Sequence, residues 1–181
     1  MKIAAVRERE DSGAAYLQRS LECLKPIVEY AAERNVYLGV EGRHSYEEMP
    51  SEREFAAVFA ALDSAHVGYW HDFGHLQVKQ NLGFADHADA LWQKRERFFG
   101  GHLHDTIWPG EDHQVPFSGG VDFARLIPML PPNAPFVWEL SPRQPAENIV
   151  AALRQWREHF PATLSGNAAW SASPHFTAPP Q

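Results

Sequence analysis

Short apolar runs alternate with longer amphipathic segments along most of the chain. The apolar runs cover residues 36–40, 67–70, 99–103 and 135–140, and they begin at intervals of 31 to 36 residues. Each run is followed by a segment of helical character. A strand and a helix that repeat at this interval predict a parallel β-sheet with helices packed outside it. Residues 1–6 are expected to form one further strand.

The first helix is predicted from a stripe of apolar residues spaced three or four positions apart. The stripe consists of Leu17, Leu21, Leu24, Val28 and Ala31. Its helix is expected to begin near Asp11 or Ser12. A kink is expected at Pro26, because proline cannot donate the backbone hydrogen bond of a helix interior.

Capping residues mark the starts of later helices. Ser51 followed by Glu54 is a capping box, in which each side chain accepts from the backbone N–H of the other residue. Asp122 is expected to cap the next helix, and Pro145 is expected to open the last one as a first-turn proline. A less regular helical pattern covers residues 88–97.

The length of the chain limits the architecture. Residues 162–181 contain no charged residue and three prolines, so they are predicted to be a disordered C-terminal tail. The remaining domain, residues 1–161, has room for four or five strand-helix units, whereas a complete eightfold barrel takes about 250 residues. The domain is therefore either a small open sheet or part of a (β/α)8 TIM barrel with parallel strands and outer helices.

Chemically useful side chains lie where the predicted strands end. These residues are Glu41, Asp72, His102, His104 and Glu139. Because the carboxyl ends of parallel strands meet at one edge of a sheet, we expect them to lie near one another. Two glutamates, an aspartate and a histidine suit Mn²⁺, Mg²⁺, Co²⁺ or Zn²⁺. His102 and His104 point to the same side of their strand, so the spacing alone does not separate them as ligands.

Composition and charge exclude several classes of protein. The apolar runs fall far short of the roughly 20 residues that cross a bilayer, and the charged N-terminal segment does not resemble a secretory signal. Cys23 is the only cysteine in the sequence, which excludes an intramolecular disulfide and fits a reducing, cytoplasmic location. The net charge of -7 disfavours nucleic acid as a partner.

Four stretches resemble the sugar phosphate isomerase/epimerase family, the xylose isomerase-like TIM barrels that also include the endonuclease IV branch. They are LGVEGRHSYEEMPS, VGYWHDFGHLQV, GGHLHDTIWPGEDHQVPFSGGVDF and FVWEL. The resemblance covers residues 38–140, which correspond to roughly the last four strands of such a barrel. It implies a partial (β/α)8 TIM barrel, about the last four to five βα units, with a divalent metal ion at the barrel mouth.

The same resemblance implies roles for individual residues. The metal ligands would be Glu41, Asp72, His102 and Glu139. His75 falls at the family's D-x-x-H histidine and would contact a substrate hydroxyl or handle a proton. His113 matches a histidine on the loop after the third strand and would be a second substrate contact or an extra ligand. His104 would either bind the substrate as well or hydrogen-bond a metal ligand from behind.

The implied activity is a sugar isomerase or epimerase that moves a proton through a metal-stabilised enediolate. Glu41 and Glu139 would remove and return the proton on opposite faces of the sugar. Two alternatives remain. One is an endonuclease IV-like metal-dependent phosphodiesterase, which the net charge disfavours, and the other is a truncated, non-catalytic barrel fragment. The implied partner is a small sugar or sugar phosphate, and the exposed edges of a partial barrel would favour homo-oligomers.

Two positions depart from the family pattern. Gly42 stands where an asparagine usually follows the ligand glutamate, and Phe117 stands where the family's loop has a glycine. A left-handed turn is costly at Phe117, so residues 118–120 are expected to take up that turn. The same stretch is the candidate phosphate-binding loop of the chain. Four further histidines are expected to be surface or packing residues, namely His44, His66, His71 and His87.

Overall fold

The computed structural model describes residues 2–164. Its strands are β1 (Leu38–Glu41), β2 (Val67–Asp72), β3 (Phe98–Leu103), β4 (Asp105–Ile107), β5 (Glu111–Gln114) and β6 (Phe136–Trp138). Its α-helices are α1 (Lys2–Glu33), α2 (Glu54–Ala61), α3 (Phe73–Asn81), α4 (His87–Lys94), α5 (Phe123–Leu126) and α6 (Ala146–His159). Short 3-10 helices cover Arg95–Arg97, Ile127–Met129 and Pro161–Leu164.

Four of the strands form the predicted parallel sheet. Their order is β1-β2-β3-β6, and every neighbouring pair is parallel. Helices connect consecutive strands, so the carboxyl ends of all four strands lie at the same edge. β4 and β5 form a separate antiparallel hairpin after β3. The apolar pattern did not predict this hairpin, because its second strand, EDHQ, is polar throughout.

The N-terminal segment is helical from Lys2 onward, so the expected strand at residues 1–6 and the expected helix start near Ser12 are both wrong. The segment KIAAVRERE contains mostly Ala, Lys, Arg and Glu, which favour a helix. This preference outweighs the short apolar run IAAV. Although α1 is 32 residues long, no helix within residues 2–164 is both long and apolar enough to span a membrane.

The predicted apolar stripe of α1 packs on the start of the fold. Leu21 and Val28 are buried in one cluster with Val58 of α2 and Val67 of β2. Leu24 was expected in the same stripe but is 36% exposed. The stripe therefore fixes α1 beside α2 and β2 along most, but not all, of its predicted length.

The main core is aromatic and joins the later helices to the sheet. Its most completely buried large side chains are Phe55, Tyr69, Phe73, Phe98, Phe123 and Trp156. These residues come from α2, β2, α3, β3, α5 and α6 in turn. Burial of a side chain of this size contributes about 1.5–3 kcal/mol. The cluster therefore holds the sheet edge that carries the candidate site in a fixed position.

The predicted caps are formed. The Ser51 N–H donates to Glu54 Oε2 at 2.7 Å, and the Glu54 N–H donates to Ser51 Oγ at 3.3 Å. The Asp122 side chain accepts from the Arg125 N–H at 3.0 Å. Pro145 lies directly before the first residue of α6, where it acts as the N-cap residue. The hydrogen bonds confirm the capping box and the Asp122 cap, although α2 begins at Glu54, with Arg53 as its N-cap, and Pro145 precedes the first turn of α6 instead of lying in it.

Phe117 adopts the left-handed backbone conformation itself, with φ 72°. The expectation that residues 118–120 would take up this turn is therefore wrong. The Phe117 ring packs against the rings of Phe123, Trp156 and Phe160. This packing offsets the roughly 1–3 kcal/mol that a non-glycine residue loses in that conformation.

The predicted tail begins slightly too early. Residues Pro161–Leu164 form a 3-10 helix, and Thr163 Oγ1 accepts a hydrogen bond from Trp156 Nε1 at 2.9 Å. The first residues of the predicted tail are thus helical, and residues 165–181 of that tail lie outside the described residues. The helical pattern at residues 88–97 is confirmed by α4 and the 3-10 turn after it.

Candidate metal and substrate site

Four side chains meet at the carboxyl edge of the sheet. They are Glu41 at the end of β1, Asp72 at the end of β2, His102 in β3 and Glu139 just after β6. Each offers a nitrogen or oxygen atom, and these atoms lie within 4.8 Å of one another. The strand register explains this, because Asp72 is paired directly with His102. The Glu139 N–H, in turn, donates to the carbonyl of Leu103 at 3.3 Å.

His102 lies between the three carboxylates. Its Nδ1 is 3.0 Å from Glu139 Oε2, 3.3 Å from Glu41 Oε1 and 3.6 Å from Asp72 Oδ2. The Asp72 and Glu41 carboxylates raise the pKa of His102 to about 10, although partial burial opposes the shift. A protonated His102 therefore offsets part of the negative charge of the group.

Asp72 uses its two oxygens differently. Oδ1 accepts the His75 N–H at 2.7 Å and thereby caps α3. Oδ2 faces the other members of the group and has no hydrogen-bond partner within residues 2–164. Burial would raise the pKa of Asp72, but the close contacts with the His102 and His104 rings outweigh burial and hold that pKa well below its ordinary value. Asp72 is thus a fixed carboxylate with one oxygen directed at the common point.

The donor set fits a divalent cation. Within the described part of the chain, Asp72 Oδ2 and Glu139 Oε2 are both buried without a hydrogen-bond partner. Buried carboxylate oxygens of this kind are costly unless a donor or a cation satisfies them. Three carboxylates and one imidazole are the oxygen and nitrogen ligands of Mn²⁺, Mg²⁺, Co²⁺ or Zn²⁺. The residues present are therefore a possible metal-binding group.

His104 is fully buried behind Asp72. Its Nδ1 accepts a hydrogen bond from the His113 backbone N–H at 2.8 Å, so the proton of the neutral ring lies on Nε2. Nε2 is 2.9 Å from Asp72 Oδ1, a close electrostatic contact that is not aligned as a hydrogen bond. A ring with 0% exposure has no free edge for a substrate. Of the two predicted roles of His104, substrate binding and orientation of a metal ligand, the geometry favours the second, with Asp72 as the residue that it orients.

His75 borders the group on the α3 side. Burial lowers the pKa of His75 although the Asp72 charge opposes the shift, so the ring is neutral at neutral pH. Its Nδ1 is 3.2 Å from the carbonyl of Gly42, which can only accept, so Nδ1 carries the proton. Nε2 is then an acceptor, and it lies 3.9 Å from Asp112 Oδ2. A substrate hydroxyl is a suitable donor for this nitrogen.

His113 lies beside His104 in a strained backbone conformation, with φ 57°. The two rings stack in parallel with centroids 4.4 Å apart. His113 Nδ1 is 2.9 Å from Asp112 Oδ1, and Nε2 is 3.9 Å from Glu139 Oε2. Its carbonyl accepts the Ser141 N–H at 2.9 Å. The backbone N–H of His113 donates to His104 Nδ1, so hydrogen bonds on both its N–H and its carbonyl hold this conformation. A strained backbone conformation held in this way is typical of a functional site.

Sequence reasoning missed two neighbours of this group, His44 and Asp112. His44 is exposed, as expected, but its ring centroid is 5.4 Å from that of His75. His44, His75 and Asp112 each offer an atom within 4.8 Å of the others. The only signals in the sequence were that His44 follows Glu41 by three residues and that Asp112 precedes His113.

His71 and His87 are packing residues, as predicted, and both are buried. They form a chain in which Tyr69 Oη is 2.8 Å from His71 Nδ1, and His71 Nε2 is 3.0 Å from His87 Nε2. His87 Nδ1 continues the chain to Gln77 Oε1 at 3.2 Å. Burial lowers the pKa of both rings, that of His87 to about 4. This neutral chain fixes β2 to α3 and α4 behind the candidate site.

A parallel β/α sheet with these side chains at its carboxyl edge defines the class of protein. Residues 2–159 match the family described as the xylose isomerase-like TIM barrel. The chain belongs to that family, as its sequence motifs predicted. The match covers nearly all of the described residues.

Two solved structures share the fold. The 3-keto-D-glucoside 4-epimerase YcjR from E. coli superimposes with a TM-score of 0.61 at 18% sequence identity, over 78% of this chain and 53% of that chain. A D-tagatose 3-epimerase-like protein gives a TM-score of 0.64 at 16% identity, over 81% of this chain and 55% of that chain. At these identities the likeness shows the fold alone. The chain spans about half the length of both, as expected for a partial TIM barrel.

One curated protein is also related in sequence. The uncharacterized protein y4fM of Sinorhizobium fredii is 26% identical over 97 residues, which is 54% of this chain and 30% of that protein. Its name assigns no activity, so this relative supports a shared origin but gives no information about the reaction.

Proposed function

We propose that the chain carries the metal and proton-transfer half of a divalent-metal-dependent sugar isomerase or epimerase. The single observation that carries this proposal is the convergence of Glu41, Asp72, His102 and Glu139 within 4.8 Å at the carboxyl edge of the sheet. In TIM-barrel enzymes this edge is where active sites are built. The family and the epimerases that share the fold support the sugar chemistry.

The proposed metal ligands are one residue from each strand end. These are Glu41, Asp72, His102 and Glu139. A divalent cation held there would supply Lewis-acid polarisation of a substrate carbonyl, which makes the neighbouring C–H more acidic. The protein contributes the fixed geometry, because the Asp72 and His102 positions are set by paired strands.

Glu41 and Glu139 are the proposed proton-transfer residues. They end β1 and follow β6, which are the two outermost strands of the sheet. Their side chains are 25% and 43% exposed, so both can reach a bound sugar. One carboxylate removes the proton next to the carbonyl, and the other returns a proton from the opposite face, which inverts that carbon. Return of the proton to the adjacent carbon gives aldose-ketose isomerisation.

Three histidines complete the proposed site. His75 accepts a substrate hydroxyl at Nε2, and His113 lies on the β5 side as a second substrate contact. His104 is proposed as a positioning residue for Asp72, because its ring is buried and 2.9 Å from Asp72 Oδ1.

Solvent exchange tests the proposed chemistry. The full chain with Mn²⁺ is incubated with D-fructose or D-tagatose in D2O, and deuterium incorporation next to the carbonyl is followed by NMR. Glu139→Gln should abolish incorporation, whereas Glu111→Gln, which changes an exposed carboxylate in β5, should leave it unchanged. Undiminished exchange in Glu139→Gln would refute the assignment.

We also propose that another copy of the chain covers the free edges of the sheet. Within residues 2–164, the outer edges of β1 and β6 have no strand partner, and unpaired edges favour association. Light scattering after size exclusion should give about twice the chain mass of 20.4 kDa. Val137→Lys in β6 should shift the mass toward the monomer, and Val150→Lys in α6 should not. A monomeric wild-type chain would contradict this proposal.

A further inference from the structure

We infer that Arg9 of α1 is a positioning residue of the candidate site, and that its guanidinium group holds the β1 loop, residues 42–50, beside His75. The β1 loop directly follows the proposed metal ligand Glu41. Because this role concerns the organisation of the candidate site, it rests on the proposed function. The sequence motifs did not point to Arg9, which lies before the predicted start of α1 but within the helix that is formed.

The additional helical turns at the start of α1 reach the carboxyl edge of the sheet. An outer helix that precedes a parallel strand runs opposite to that strand, so its N-terminus lies where the strand ends. Ser51 Oγ donates to Glu10 Oε1 at 2.5 Å, and Arg53 Nη1 is 3.3 Å from Glu10 Oε2. These contacts fix the start of α1 against the segment between β1 and α2.

Arg9 contacts three acceptors that are distant from it in the sequence. Its Nη1 donates to Glu54 Oε1 at 2.6 Å. Its Nε donates to the Tyr46 carbonyl at 3.1 Å, and its Nη2 donates to the Glu48 carbonyl at 2.7 Å. A guanidinium group is planar and its donors have fixed directions, so the ion pair with Glu54 orients the other two donors toward the loop.

Glu54 is a rigid partner for this guanidinium group. Its second oxygen, Oε2, accepts the Ser51 N–H at 2.7 Å in the capping box of α2. The side chains of Arg9 and Glu54 are only 12% and 9% exposed, so solvent screens this ion pair less than a surface pair. Arg9 therefore connects a fixed helix end to two carbonyls of the β1 loop.

Contacts inside the β1 loop carry this constraint toward the site. Glu48 Oε2 accepts the Ser45 N–H at 3.4 Å, and Glu48 Oε1 is 3.3 Å from Arg43 Nε. The residue whose carbonyl binds Arg9 is therefore also connected to both neighbours of His44. A constraint at residue 48 thus also limits the position of His44.

The β1 loop presents two groups to the candidate site. The Gly42 carbonyl is 3.2 Å from His75 Nδ1, and the His44 ring centroid is 5.4 Å from that of His75. His44 is exposed, so its place beside His75 depends on the path of the loop. Glu41, in contrast, belongs to β1 and is held by the pairing with β2. Loss of the Arg9 contacts should therefore displace His44 and leave the metal ligands in place.

Limited proteolysis of the full chain tests whether Arg9 holds the loop. Trypsin cleaves after Arg43, which is exposed in the β1 loop, and mass spectrometry gives the rate at each cleavage site. Arg9→Met keeps an apolar stem but removes the hydrogen bonds, so cleavage after Arg43 should accelerate by roughly tenfold or more. Arg9→Lys keeps the charge without the planar donors and should accelerate it as well. Arg19→Gln, at an exposed position of the same helix, should leave the rate unchanged.

An internal reference separates loop opening from unfolding of the domain. Cleavage after Arg154 in α6 reports global unfolding in the same digest. An increase confined to Arg43 supports the inference. Unchanged cleavage after Arg43, or an equal increase at Arg154, would overturn it, and protection of Arg43 in Arg9→Lys would overturn the role of the planar donors.

Paramagnetic broadening by Mn²⁺ tests the connection to the site. A bound Mn²⁺ broadens the NMR signals of nearby imidazole protons, and His44→Gln identifies the signal of His44. Mn²⁺ should broaden this signal strongly in the wild type and in Arg19→Gln. In Arg9→Met the broadening should fall several-fold while the Mn²⁺ affinity stays unchanged.

The two failures are distinguishable. Equal broadening of the His44 signal in Arg9→Met and the wild type, or weaker Mn²⁺ binding in Arg9→Met, would contradict the inferred role of Arg9. If Mn²⁺ broadens no histidine signal in the wild type, the proposed metal site is contradicted. The trypsin digest then still decides whether Arg9 holds the loop.

Discussion

Gly74 and His104 fit together so closely that a Cβ atom on residue 74 would overlap the imidazole ring. Gly74 lies in the first turn of α3, the helix that Asp72 caps. The absence of a side chain at Gly74 lets the His104 ring reach within 2.9 Å of Asp72 Oδ1. One glycine therefore links the cap of a helix, a buried ring and a candidate metal ligand.

Gly74→Ala should lower stability and weaken Mn²⁺ binding, because the new methyl group must displace His104 from Asp72. The matched control is Gly13→Ala in α1, where the added Cβ meets only ordinary contacts of 3.6 Å or more. Alanine is favoured over glycine in a helix by roughly 0.5–1 kcal/mol, so the control should be slightly stabilised. Thermal unfolding and calorimetric titration with Mn²⁺ check both. Equal effects of the two substitutions would show that the close fit of Gly74 and His104 is unimportant.

His104→Gln should weaken metal binding without removing a metal ligand. Partners that orient a ligand typically contribute a factor of about 10–100 in metal affinity, and we expect a loss in that range. His159→Gln, at an exposed position on α6, is the control and should have no effect. Complete loss of binding in a folded His104→Gln variant would instead indicate that His104 coordinates the metal directly.

The metal-free chain should lose stability at alkaline pH. The pKa of His102 is raised to about 10 by its carboxylate neighbours, against about 6.5 in an unfolded chain. The protonated ring therefore stabilises the fold fully below pH 6.5, and this contribution is lost as the pH rises toward 10. Melting temperatures in EDTA between pH 6 and 10.5 should fall more steeply for the wild type than for His102→Gln. Parallel curves would contradict the prediction.

Phe117→Gly should destabilise the domain even though it removes backbone strain. Relief of the left-handed conformation contributes about 1–3 kcal/mol, whereas loss of a packed phenylalanine costs about 3–5 kcal/mol. The expected net loss is about 2 kcal/mol, the difference between the middle values of these two ranges, measured by urea unfolding. Asn35→Gly, also at a positive φ of 53°, is the control and should change stability little. Stabilisation by Phe117→Gly would mean that the ring contributes less packing than its contacts indicate.

The sequence predicted the parallel sheet and the residues at its carboxyl edge, because both follow from a strong periodic pattern of apolar runs. Apolar runs at regular intervals define parallel strands, and a residue directly after a strand must lie at the carboxyl edge. Glu41 and Glu139 could therefore be placed beside Asp72 without coordinates. The choice between His102 and His104 required three-dimensional contacts, because residues two positions apart are equivalent in the strand pattern. In the structure His102 Nδ1 lies near three carboxylates, whereas His104 is fully buried.

The errors occurred where local signals are weak or contradictory. The run IAAV is short enough to suit a strand or a helix, and its charged helix-forming neighbours decide the outcome. The β4–β5 hairpin has almost no apolar alternation, so its fold depends on contacts with α3 and on Asp105. His44 reaches the site from a loop and Asp112 from the polar strand β5, and neither position is encoded in any apolar periodicity.

Metal stoichiometry tests the central claim most directly. The EDTA-treated chain is titrated with Mn²⁺ by calorimetry, alongside Asp72→Asn and the exposed control Asp63→Asn. The account predicts one Mn²⁺ per chain for the wild type and for Asp63→Asn, with binding lost in Asp72→Asn. A wild-type chain that binds no cation, or an Asp72→Asn variant that binds as the wild type does, would contradict it.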